Sequence, residues 1–98
     1  MSTFAIERSA PGRIAARGVL DFDTAADALR HGLKLMRAER DVEVDLTQVT
    51  SGDSAGLAVL IEWLADARAR GASLHYTGVP AQIRAVARIS DIDSLLTA

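Results

Sequence analysis

The chain predicts an α/β domain in the order ββαβαβα: a four-stranded mixed sheet with helices mainly on one face. Three observations carry this reading. Two short segments flank the turn Ala10-Pro11-Gly12-Arg13, which marks a hairpin. Ala25, Leu29, Leu33 and Met36 recur about four residues apart, the spacing of one helix face. Strand-like runs at 42–46 and 73–77 then bracket a second helical run. Strands joined through a helix run parallel with a right-handed crossover, whereas hairpin strands run antiparallel, so the sheet is mixed.

Each element has its own local cause. Phe4 and Ile6 alternate with Thr3 and Glu7, the period of a half-buried strand. Pro11 presets φ and Gly12 tolerates positive φ, so the chain turns there and a second strand follows over 13–20. Asp21-Phe22-Asp23-Thr24 offers caps for the first helix. In the third strand Val42, Val44 and Leu46 alternate with Glu43 and Asp45, one face buried and one wet. A loop, Val49-Thr50-Ser51-Gly52-Asp53, leads to a second helix over 55–70, which Gly71 stops. A fourth strand spans 73–77. Pro80 suits the first position of a third helix, lined by Ile83, Val86, Ala87 and Ser90. A short turn over 92–96 closes the fold.

Composition narrows the function classes. Ninety-eight residues make one domain, 1–98, with room for one modest core. A net charge of −2 gives no electrostatic case for nucleic acid or acidic lipid. With no cysteine there are no disulfides or thiolate metal sites, which fits a reducing cytoplasm. The longest apolar run, 57–61, is far too short to span a bilayer, so no direct membrane insertion is expected. The first residues lack the basic and apolar segments of a signal peptide.

The most informative stretch is Asp53-Ser54-Ala55-Gly56-Leu57. It places a hydroxyl where a helix begins, to cap free N–H groups or to carry a phosphate. On a helical projection Leu57, Leu60, Ile61 and Leu64 fall on one side and are expected to pack on the sheet. Glu62 and Asp66 fall on the other. Val59 and Trp63 lie between, and Trp63 reads either as a half-exposed anchor for a partner or as a side chain folded over the core edge that touches none. The expected partner-binding surface therefore combines the loop residues Gly52 and Asp53 with Ser54, Ala55, Val59 and Trp63.

Catalytic readings fare poorly. Gly52-Asp53-Ser54-Ala55-Gly56 matches the loose pattern G-x-S-x-G, but the chain lacks the later strands that carry the acid and the His of that hydrolase fold. His31 and His75 are read as surface residues of the first helix and the fourth strand. Asp45 and Asp53 alone make a weak case for a metal, and no Walker loop is present. No catalytic residue, metal site or cofactor is expected.

Val44-Asp45-Leu46, the run from Asp53 through Leu60, and Leu74-His75-Tyr76-Thr77-Gly78-Val79 together resemble the STAS domain family over nearly the whole chain. The small size, the Gly78-Val79 pair and the early C-terminus look most like the MlaB-type subunit of phospholipid-trafficking ABC complexes. Two departures stand out: Gly52 replaces an apolar residue common before the Asp, and Ser54 replaces the Thr usual in MlaB-type proteins. The resemblance implies that Ser54 occupies the partner-facing end of the second helix, a position phosphorylated in sigma-regulating members. It implies a non-catalytic accessory subunit that binds an ABC-type ATPase, in the cytoplasm at the inner face of the inner membrane. The alternative it implies is a phosphorylation-switched antagonist that binds an anti-sigma factor kinase.

Overall fold

The computed structural model describes residues 2–97. Strands β1 (Phe4–Ala10), β2 (Arg13–Leu20), β3 (Asp41–Gly52) and β4 (Ser73–Thr77) form one sheet in the order β1-β2-β3-β4. β1 and β2 are antiparallel, and β2–β3 and β3–β4 are parallel. Helix α1 (Ala25–Met36) links β2 to β3, and α2 (Ser54–Ala69) links β3 to β4. Both crossovers step the same way across the sheet, so a common handedness puts both helices on one face. Helix α3 (Ala81–Ile89) packs beside α2, and the short α4 (Ser94–Thr97) closes against β4. The expected ββαβαβα order and one-sided mixed sheet are both present.

Alternation along the strands separates two faces. Ile14, Ala16, Leu20, Val42, Val44, Leu46 and Leu74 are buried under the helices. The opposite face is polar and braced by ion pairs, Arg13–Glu43 at 2.8 Å and Arg17–Glu7 at 3.1 Å. Exposed pairs of this kind add little stability. They keep the face wet and fix which side is core. His75 stands on this wet face, in register with Glu43.

β3 runs further than the sequence suggested. The segment expected as a loop stays in the sheet through Gly52, which pairs with Leu20. Register shifts beside Arg17 and between Gly18 and Val19 let the pairing continue past Thr47. Val49 still reaches the core.

The helix facing holds in part. Leu57 and Leu60 are buried, while Ile61 and Leu64 are only half-buried. The buried arc of α2 instead turns toward α1 and includes Val59, Trp63 and Ala67. Trp63 is fully buried, which corrects its expected half-exposed place. Its indole lies against Gly32, where an added Cβ would sit only 2.4 Å from two ring carbons. Its Nε1–H donates to the Leu29 carbonyl at 3.3 Å. The buried line of α1 accordingly runs Ala28, Gly32, Met36, with Ala25, Leu29 and Leu33 at its edge. Small residues there make room for the indole.

An ion-pair network closes the far end of this helix pair. Asp66 accepts from Arg37 at 2.8 Å and from Arg70 at 2.9 Å. Arg70 also donates to the Met36 and Glu39 carbonyls at the end of α1, each at 3.4 Å. The Arg37 hydrogen bond holds the Asp66 carboxyl below its usual value, with Arg70 adding to it against partial burial. On the other side of α2 the Tyr76 hydroxyl donates to the Leu60 carbonyl at 2.6 Å, tying β4 to the helix. Burial pushes that phenol above its ordinary value.

Two outcomes follow for stability. Trp63→Ala should destabilise the domain by ~3–5 kcal/mol in urea unfolding, as for other buried aromatics. A loss below ~1 kcal/mol would remove Trp63 from the core. The second concerns Asp66, whose folded value is lowered. Its stabilising contribution is whole above the ordinary aspartate value of about 4 and is lost as pH falls through the lowered value. Asp66→Asn should flatten the acid limb of a plot of melting temperature against pH, and an unchanged limb would show that the network is idle.

Candidate functional site

The site is built where β2, β3, α2 and α3 converge. Asp53 ends the β3 run in extended conformation and caps α2. Its Oδ1 accepts from the Ala55 and Gly56 amides at 2.9 and 3.2 Å. Its Oδ2 accepts from the Phe22 amide at 3.2 Å, and its own amide donates to the Leu20 carbonyl at 3.3 Å. One carboxylate therefore holds the start of α2 and the β2–α1 turn together. The cap expected of Ser54 belongs to Asp53. The extended backbone of Asp53 lets its side chain reach forward to the free amides, whereas Ser54 is already the first helical residue.

Ser54 is exposed, and among the described residues its hydroxyl has no hydrogen-bond partner. The first turn of α2 carries no acidic side chain of its own. A helix N-terminus favours negative charge, but the Asp53 carboxylate already sits there.

The glycines around Ser54 explain the motif physically. A Cβ on Gly56 would lie within 2.2 Å of the Leu20 carbonyl oxygen, so only glycine allows α2 to begin so close to β2. A Cβ on Gly52 would meet Ile83 Cδ1 at 2.5 Å and the same carbonyl at 2.8 Å. The space that an apolar side chain would take at position 52 is filled here by Ile83 from α3.

The turn before α1 is a second fixed piece. Asp21 Oδ1 accepts from the Asp23 and Thr24 amides, and Thr24 Oγ1 donates to the Val19 carbonyl at 2.8 Å. Ser2 donates to Asp21 Oδ2 at 2.7 Å, and this bond is the first cause that holds the Asp21 carboxyl below its usual value. With its neighbours pinned, Phe22 is thrust outward and is 82% exposed. Phe22, Ala25, Ala26, Leu29, Ala55, Ala58, Val59 and Glu62 line a shallow, mostly apolar groove of ≈ 390 Å³ between α1 and α2.

The expected site residues thus divide. Gly52, Asp53, Ser54 and Ala55 come together at the head of α2. Ala55 and Val59 line the groove, although Val59 is 3% exposed and contributes only an edge. Trp63 offers no surface to a partner. Phe22, Ala26 and Ala58 were not expected. Phe22 had a legible signal: an aromatic between two aspartates in a turn is poorly placed to reach a core. His31 and His75 are exposed, and neither bonds to Ser54. Asp45 accepts from Thr47, by both its hydroxyl and its amide, while Asp53 is spent on capping. No group of metal-ligating side chains forms among the described residues.

Comparison with known proteins supplies a family. A model described as "Mlab, STAS domain" matches residues 4–97. The solved anti-sigma factor antagonist SpoIIAA, in its unphosphorylated form, aligns with a TM-score of 0.73 and 14% identity, covering 98% of this chain and 86% of that one. The phosphorylated form, described as a Bacillus cell fate determinant, aligns with a TM-score of 0.69 and 14% identity over 98% and 89% of the two chains. A sulfate transporter family protein from Wolinella succinogenes aligns with a TM-score of 0.65 and 20% identity over 86% and 69%. At these identities the likeness is one of fold. No curated protein matches in sequence.

The capping assignment is testable by a pair of variants. Asp53→Ala should cost ~1–2 kcal/mol in urea unfolding, and Ser54→Ala less than ~0.5 kcal/mol. The opposite order would return the cap to Ser54.

Proposed function

Because the chain belongs to the STAS domain family, we propose that it is a non-catalytic accessory subunit that binds the ATPase of a Mla-type phospholipid ABC transporter. STAS domains are in general binding modules that engage partner proteins such as kinases or transporter domains. The match to a model described as MlaB favours the transporter reading.

The observation that carries the proposal is the exposed, unpartnered hydroxyl of Ser54 at the head of α2, one turn before the exposed Ala58. A hydroxyl with no hydrogen-bond partner among the described residues is free to bond to another protein. Around it, Gly52, Asp53 and Ala55 form a rigid seat, and Val59 supplies the edge of the apolar groove. Trp63 acts from beneath by holding α1 against α2. In this reading the domain works on the cytoplasmic side and reaches the inner membrane only through its partner. No helix among the described residues is long and apolar enough to cross a membrane. No cofactor enters the proposal.

The second reading is a phosphorylation-switched antagonist of an anti-sigma factor kinase. It draws on the fold shared with SpoIIAA and on the accessibility of the Ser54 hydroxyl. Both readings use one surface and differ in the partner.

Ser54→Glu should stay folded by circular dichroism yet lose binding to an ABC ATPase encoded beside this chain, whereas Ser54→Thr should retain it. The physical cause is a second carboxylate beside Asp53, desolvated against the partner. Full binding by a folded Ser54→Glu protein would reject this surface. Wild-type binding to a neighbouring kinase-like protein in place of the ATPase would select the second reading.

A further inference from the structure

We infer that the open end of the α1–α2 groove receives an apolar side chain from a partner protein segment that carries a lysine or arginine beside it. The inference rests on the proposal that the Ser54 end of α2 faces a partner protein, and it specifies that partner's chemistry.

The helix seam is asymmetric along its length. At the far end Arg37, Asp66 and Arg70 bridge α1 to α2 and cover the gap. At the Ser54 end no ion pair spans it among the described residues, and the hydrogen bond from the Phe22 amide to Asp53 ties the two sides only at the head of the seam. There the walls are Ala25, Ala26, Ala55 and Ala58, and the small side chains leave the groove open. Phe22 stands at the lip, held by the hydrogen bond that its amide donates to Asp53. A large aromatic left in water beside a row of alanines is an arrangement that another protein's apolar side chain would complete.

The charges around this end select the occupant. Glu62 lines the groove, and among the described residues its carboxylate has no ion-pair partner. Asp23, beside Phe22, likewise has none. Asp53 adds a third carboxylate at the head of α2. The guanidinium at the outer edge of α1, that of Arg30, is taken by Asp27 at 2.6 Å. An apolar pocket with an acidic rim fits an apolar residue flanked by a cation. The same rim disfavours the other occupants. A second copy docked symmetrically would bring like charges together, and anionic lipid would be repelled.

The test is selection of short random displayed peptides on the wild-type domain, with Ala58→Arg as the counter-target. Ala58 and Glu62 are both exposed, so variants there should melt like the wild type. Selected peptides should carry an apolar residue next to Lys or Arg and bind Ala58→Arg about tenfold more weakly or worse. Selection on Glu62→Lys should shift the flanking residue toward Asp or Glu. Peptides that bind Ala58→Arg equally well, lack basic residues, or fail to enrich over the counter-target would overturn the inference. So would dimerisation through this face, seen by sedimentation as association that Ala58→Arg abolishes. The Glu62→Lys arm still decides should Ala58→Arg melt early. Loss of the ATPase pull-down alone would reject the proposed partner and leave the peptide result standing, so the two failures are distinguishable.

Discussion

The seating of Trp63 on Gly32 is the contact on which the rest of the helical layer depends. A fully buried indole is the largest side chain in this core, and it has a polar edge that must be satisfied. The Leu29 carbonyl satisfies it from within α1. That bond and the missing Cβ at Gly32 together fix both the separation and the axial register of α1 against α2. Any larger residue at position 32 would push the helices apart and widen the seam from its floor. With that spacing set, the groove near Ser54 is left open by the small walls Ala25, Ala26, Ala55 and Ala58.

Asp53 does the corresponding work at the head of the site. Its two carboxylate oxygens serve separate segments, the first turn of α2 and the turn that precedes α1. Gly56 lets these segments lie against the end of β2 with no side chain between them. Ser54 and Phe22 are consequently displayed by neighbouring, mutually bonded pieces of backbone rather than by a loose loop. A partner docking on a surface held this way would have little further backbone to order, so little conformational entropy would be lost.

Much of the fold was legible because period and punctuation agree along the chain. The alternation at Val42, Val44 and Leu46, the Pro11-Gly12 turn and the spacing in α1 each name one element, and the elements fit one topology. The failures have a common physical origin. Reading α2 as a single buried stripe missed that it is covered on two sides, by the sheet and by α1. Trp63 and Val59 therefore fall inside an arc that a one-sided projection leaves at the edge. The extent of β3 depended on pairing with β2, a long-range contact with no local signature. The cap passed from Ser54 to Asp53 for a related reason: both residue types cap well, and only the backbone shows which stands outside the helix. Phe22 had its signal in its neighbours: the aspartates that mark the turn also leave the aromatic between them nowhere inward to go.

The contrast between the two ends of the α1–α2 seam carries the functional reading furthest. Ion pairs at Arg37, Asp66 and Arg70 span one end, while at the other Glu62 and Asp23 have no ion-pair partner among the described residues. If packing alone governed the surface, both ends would be expected to close, since a bridging arginine at the Ser54 end would cover the alanine walls with its own methylenes. Exposed carboxylates without a partner cost the free domain little, so an acidic rim around an open apolar floor is cheap to keep. A basic partner of the kind inferred above would supply a cation and an apolar side chain together. A phosphate on Ser54 would not close the groove. It would deepen the negative charge at its head, strengthening attraction for a cation that reaches the phosphate while obstructing a partner packed directly on the hydroxyl. Which of these would occur depends on how closely a partner's backbone approached Ser54, so the one surface would suit either of the two proposed partners with no change in fold.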